Sequence, residues 1–166
     1  RCHWCESQIS AFFPLSELMI ILVTAKTFTS SWYHNLIFTI VILTLLYLST
    51  TDFVSQVIYP IALIGLLPLL LVLPRHSFSI GKVVVELVIM GFFFFGLQHI
   101  TKGLGTGDIE FILMTDLIGG WELTAQIVLI GCLLTLIPAL IKRNSKLPLI
   151  PGLALGFILR LLFCSN

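Results

Sequence analysis

Two aspartates stand where apolar stretches end. Asp52 closes the stretch 35–51, and Asp108 completes Gly105-Thr106-Gly107-Asp108 at the foot of another apolar run. Two apolar segments, 54–73 and 80–100, separate the acids. An even number of membrane crossings returns a chain to the side it left, so both carboxyls are expected at one membrane face. Two carboxyls that share a proton are the minimum equipment for splitting a peptide bond with water. The ionised partner takes a proton from the attacking water, and the protonated partner polarises the scissile carbonyl or protonates the leaving amine. No covalent intermediate is needed.

Each acid also has a plainer reading. The residues before Asp52 turn polar only in Ser49-Thr50-Thr51, so this side chain could simply end a helix in water. Asp108 could cap a helix starting at Ile109. Capping explains the acid but leaves Gly103, Gly105 and Gly107 unexplained. A turn poor in side chains, beside a carboxyl, lets an extended peptide lie against it, which makes Gly105 and Gly107 candidate substrate contacts. The other nucleophiles and bases form no such set. Ser49, Ser55, Ser77 and Ser79 lack a His/Asp partner at a shared depth, and Gly-X-Ser-X-Gly is absent. His34, His76 and His99 read as polar residues of the membrane interface.

The elements that must position these acids are dictated by composition. The chain is 58% hydrophobic and only 10% charged, against roughly 25% charged in soluble domains. Mean hydropathy is +1.10. Apolar residues come in blocks such as Phe92-Phe93-Phe94-Phe95, not in the alternation of a barrel strand. Lipid tolerates apolar groups on every side of a helix, so the expectation is an all-α polytopic membrane bundle of about six to seven segments. These are read at 13–28, 35–51, 54–73, 80–100, 109–118, 123–141 and 147–163. The fifth is short and contains Asp116; it would tilt, sit in a cavity or run on through Gly119-Gly120. With Arg1 in the cytoplasm, five basic residues (Arg1, Lys102, Lys142, Arg143, Lys146) share that side against four (Lys26, Arg75, Lys82, Arg160) on the other. Both aspartates then lie at the cytoplasmic boundary. A net charge of +1 with no dense basic patch argues against nucleic acid as a direct partner.

Four stretches, in order along nearly the whole chain, resemble the type IV prepilin peptidase family, in particular its late-competence members. Arg1-Cys2-His3-Trp4-Cys5, continuing to Pro14-Leu15-Ser16-Glu17-Leu18, looks like the family's second Cys-X-X-Cys and the start of its next helix. Asp52 with Gln56 and Ile58 looks like the first catalytic motif, and Gly105-Thr106-Gly107-Asp108 like the second. Leu147-Pro148-Leu149-Ile150-Pro151-Gly152 looks like the start of the last helix. The resemblance implies a plasma-membrane aspartic endopeptidase that removes the basic leader from prepilin-like proteins, with competence pseudopilins as clients. It implies catalytic roles for Asp52 and Asp108, a 1–12 segment belonging to a truncated zinc-binding element, and a peptidase domain over 13–166. Two departures stand out: Glu110 replaces a usual lysine, and Tyr59 a usual proline, with Pro60 one place later.

Peptide hydrolysis by two acids requires no cofactor. A structural zinc needs four ligands, and Cys2 and Cys5 supply only half a site, so zinc is expected only with a cysteine pair upstream of Arg1. S-adenosylmethionine is expected only if the methyltransferase activity of many family members is retained. Two other readings compete: a proton-coupled transporter component using Asp52, Asp108 and Asp116 as a relay, and an inactive truncated relative serving as a scaffold. A relay needs acids spread through membrane depth.

Overall fold

A computed structural model of the chain describes residues 32–55, 59–72, 79–101, 104–141 and 149–164. Among these residues all regular structure is helical, in the order α1 (Trp32–Ser55), a 3₁₀ helix (Pro60–Leu71), α2 (Ile80–Thr101), α3 (Thr106–Ile141) and α4 (Ile150–Cys164). The expected segment 13–28 and the Cys2/Cys5 half-site lie outside the described residues.

α1 is apolar on several sides but buries one stripe. Ile37, Val41, Leu45 and Leu48 are buried at steps of four, four and three residues, and the next step of four reaches buried Asp52. That spacing keeps residues on one helix face, so the acid ends the stripe that packs inward. The hydroxyls of Thr39, Thr44, Thr50 and Thr51 donate to backbone carbonyls three or four residues earlier. Polar side chains on an apolar helix are thereby satisfied locally.

The expected segment 54–73 is replaced by something shorter. α1 runs on to Ser55, and the 3₁₀ helix starts at Pro60, where a missing N–H costs little because the first turn has no partner for it. Leu63, Leu66 and Leu69 are its buried residues. Three residues per turn puts that three-residue spacing on one face. Twelve residues at a rise of about 2.0 Å reach about 24 Å, less than the roughly 30 Å hydrocarbon core. A Cβ added at Gly65 would strike the Thr44 side chain, so the 3₁₀ helix lies directly on α1.

α2 corresponds to the expected segment 80–100. Of its large apolar residues only Val83 and Phe94 are buried, while Phe92 and Ile100 are each 80% exposed. In water this surface would be an association hazard; in a bilayer it is the lipid-facing side. Trp32–Asp52, Ile80–Ile100 and Thr106–Leu136 are the helices long and apolar enough to cross a membrane, judged by length and composition among the described residues.

α3 joins the expected fifth and sixth segments, but not as a straight rod. Gly120 has φ 80° and ψ 174°, which breaks the helix. The leg after the break packs on α4: a Cβ at Gly152 would meet the Thr135 side chain and lie 2.7 Å from the Gly131 carbonyl oxygen, and one at Gly156 would lie 2.8 Å from the Ile127 carbonyl oxygen. Residue 131 thus neighbours 152 while 127 neighbours 156, so the two segments run antiparallel at close range. α4 begins beside Asp52, and the first turn of α3 carries Asp108, within electrostatic reach of Asp52. The first leg of α3 therefore leaves the end of the bundle where the acids lie, and the second leg returns toward it. A straight helix of 36 residues, about 54 Å long, could not do this.

Because φ 80° with ψ 174° is a backbone region open essentially only to glycine, Gly120→Ala is expected to destabilise the protein by about 1–3 kcal/mol. A lowered unfolding midpoint in detergent micelles would show this; an unchanged midpoint would mean that the chain does not reverse at Gly120.

Candidate active site

The two acids converge. Asp52 ends the inward stripe of α1, and Asp108 lies in the first turn of α3; both are buried. The charge of Asp52 acts on Asp108, so the two carboxyls occupy one neighbourhood. They come from positions 56 residues apart in the sequence, across the 3₁₀ helix and α2.

Each carboxylate is held by one backbone N–H. The Gly105 N–H donates to Asp108 Oδ2 at 3.0 Å. Asp108 does not cap a helix starting at Ile109. In fact the helix starts at Thr106, Asp108 is its third residue, and its side chain reaches back to the residue before the helix. This is the reciprocal half of a capping box. A Cβ at Gly105 would sit 3.1 Å from Asp108 Oδ2, tight enough that any side chain there would press on the carboxyl. Gly105 itself is exposed, and Gly107 is half-buried as the second residue of the helix. The turn expected to admit a peptide is therefore open at Gly105 and closed into helix by Gly107.

The partner of Asp52 was not foreseen. The Ile150 N–H, at the first residue of α4, donates to Asp52 Oδ2 at 3.2 Å across 98 residues of sequence. The run Leu149-Ile150-Pro151-Gly152 contains the signal. Pro151 fits a helix's first turn, and Gly152 lets α4 approach α3 so closely that its N-terminus reaches the acid. Both carboxyls thus lie at helix N-termini, Asp108 within that of α3 and Asp52 against that of α4. Unsatisfied N–H groups and aligned peptide dipoles favour negative charge at these ends. A pair of acids buried among apolar helices is tolerable because two such ends converge on it.

The other acids fall elsewhere. Asp116 is fully buried, but eight residues from Asp108 places it about 12 Å further along the first leg of α3. Glu110 is half-buried and two residues on, roughly 200° around the helix from Asp108. Glu86 is half-buried within α2. Ser49 is buried one turn before Asp52, and Thr115 and Thr124 are buried in α3, where their hydroxyls donate to the Ile112 and Gly120 carbonyls. Among the described residues no group of three or more His, Cys, Asp or Glu side chains could hold a metal ion. His99, expected to be an interfacial residue, is exposed near the C-terminal end of α2 and lines a cavity of about 460 Å³ with Phe95, Gln98 and Leu104.

Gly152→Val tests how the Asp52 partner is held. The added side chain collides with Thr135 and with the Gly131 carbonyl, forcing α4 away from α3 at a cost of about 1–3 kcal/mol. The Ile150 amide should then exchange with deuterium much faster than in the parent, whereas amides of α2 should not change. Unaltered protection of Ile150 would show that the glycine contact does not hold it on Asp52.

A family model described as the type IV leader peptidase family matches residues 39–140, a stretch that contains both aspartates. No curated protein and no solved structure matches the chain significantly.

Proposed function

The chain belongs to the type IV leader peptidase family, and on that premise we propose that it is a membrane aspartic endopeptidase in which Asp52 and Asp108 form the hydrolytic pair. Its substrates are type IV prepilin-like proteins, with competence pseudopilins favoured by resemblance. It removes their basic leader at the cytoplasmic boundary of the bacterial plasma membrane. The observation that carries this reading is the meeting of two buried carboxyls at one end of an apolar bundle, each anchored by a backbone N–H.

The chemistry follows from two acids sharing one proton. The ionised carboxylate accepts a proton from a water, whose oxygen adds to the scissile carbonyl carbon. The protonated carboxyl gives its hydrogen to the carbonyl oxygen. Collapse of the tetrahedral adduct breaks the C–N bond, the amine leaves with a proton from the first acid, and the second acid regains its own. Two fixed N–H donors hold the carboxyls in place without supplying a proton. Apolar walls keep the pair away from bulk water, where neighbouring charges act more weakly. The client's apolar helix lies in the bilayer beside the enzyme and sets the depth of the cut.

Leader removal from a prepilin-like protein, assayed in membranes containing this chain, tests the proposal. Asp52→Asn and Asp108→Asn should each abolish processing, by about 10³-fold or more, since neither can then supply its half of the proton transfer. Both variants should still insert. Asp116→Asn should retain most of the activity. Normal processing by either of the first two variants would refute the paired-acid mechanism, and loss of a proton flux with Asp116→Asn alone would favour the transporter reading.

A further inference from the structure

The elements of the apolar bundle are not of one length. From Trp32 to Asp52 α1 covers about 30 Å, the full hydrocarbon core, and α2 from Ile80 to Ile100 covers the same. The first leg of α3, 106–119, is bounded by non-helical Leu104 and Gly105 before it and by the Gly120 break after it, and covers only about 21 Å. The 3₁₀ helix, packed against α1 and α3, is bounded likewise by extended Tyr59 and by Val72. Both short elements start at the level of the acids. Asp108 is in the first turn of α3. Gly65, about 10 Å past Pro60, lies against Thr44, about 12 Å before Asp52. α4 gives a second measure of depth. Position 131 faces 152 and 127 faces 156, so 121 falls opposite 162, about 18 Å from the Ile150 that meets Asp52. Both measures put the α3 break about 10 Å short of the far hydrocarbon boundary that α1 reaches.

The residues at that level suit a water boundary. Gly120 is buried, but Trp121, at 60% exposure, and Glu122 face outward directly after it. Tryptophan is enriched where membrane meets water, and an outward carboxylate inside hydrocarbon is expensive. Glutamate is too short to snorkel across about 10 Å. Further along the same leg the outward residues include Leu129, Leu133 and Leu136, which suit lipid. A bilayer thins around an apolar segment shorter than its core. We propose that the headgroup layer at the end remote from the acids bends inward by about 10 Å over the α3 break, with Trp121 and Glu122 as its contacts, so that this side of the protein is a docking site for the membrane surface itself. On the other side α1, through exposed Trp32 and Tyr33, holds the same layer at its ordinary height. The bilayer around the protein is therefore uneven in thickness. This rests on the membrane placement of the bundle and is independent of what the acids do.

Water access at two positions of the second leg tests the thinning. The full chain is placed in membrane sheets open on both faces, with Cys2 and Cys5 changed to Ser and Cys132 and Cys164 to Ala. Single cysteines are then introduced as Glu122→Cys and Leu129→Cys, both at exposed sites about 10 Å apart along the helix. A membrane-impermeant maleimide, which needs a hydrated thiolate, should label the first about tenfold faster or more, and the two should label alike after unfolding in detergent. A second measurement keeps Glu122 in place. With Trp4→Phe and Trp32→Phe, Trp121 is the one remaining tryptophan. In phosphatidylcholine vesicles its fluorescence should be quenched more by lipids brominated near the ester groups than by lipids brominated near the chain ends. Equal labelling of the two cysteines in the membrane, fast or slow, would overturn the proposal. Stronger quenching of Trp121 by the deep bromines would overturn it as well, because the residue would then lie inside unthinned hydrocarbon.

Discussion

A carboxylate buried between apolar helices is stable only where the chain brings polar partners to it, and here the partners are backbone N–H groups at two helix ends. The contact from Ile150 to Asp52 is the one on which the arrangement turns. A hydrogen bond to a charged group contributes about 1.5–3 kcal/mol, and an unpaired buried charge costs more than that. Without α4 at this position, Asp52 would lose its described partner. With α4 in place, one backbone N–H reaches Asp52 as another reaches Asp108.

The glycines and the helix break serve that contact. Gly152 and Gly156 let α4 press against the second leg of α3, and Gly120 turns α3 so that this leg comes back toward the acids. Association of helices in lipid depends on close packing, because the tails around them are as apolar as the side chains. Small residues at the α3–α4 crossing supply that packing. The break also reconciles a 36-residue helix with a bilayer that a straight one would overshoot.

The outer surface has the opposite character. α2 turns Phe92, Phe93, Ile89 and Ile100 outward and contributes little to the buried core. It connects the two catalytic candidates in sequence while facing lipid over most of its length. Its C-terminal end, with Gln98 and His99, is where this lipid-facing helix becomes polar and lies beside Leu104, just ahead of the helix that carries Asp108.

Several features were legible from the amino-acid order alone. Blocks of apolar residues require helices in lipid whatever the packing, so the all-helical membrane class followed from composition. Asp52 and Asp108 were identified as a pair because the position of an acid at the end of an apolar run, and the number of runs between two acids, are properties of the chain order. The 3₁₀ helix was not read, although Leu63, Leu66 and Leu69 carried its three-residue period; over one short apolar run, that period is hard to separate from an α-helical one. The Ile150 donor, the direction of the two legs of α3 and the cavity at the α2–α3 corner came only from tertiary structure. Each depends on distances between segments far apart in sequence, which no local pattern specifies, and a backbone N–H looks the same at every residue until packing decides which acid it meets.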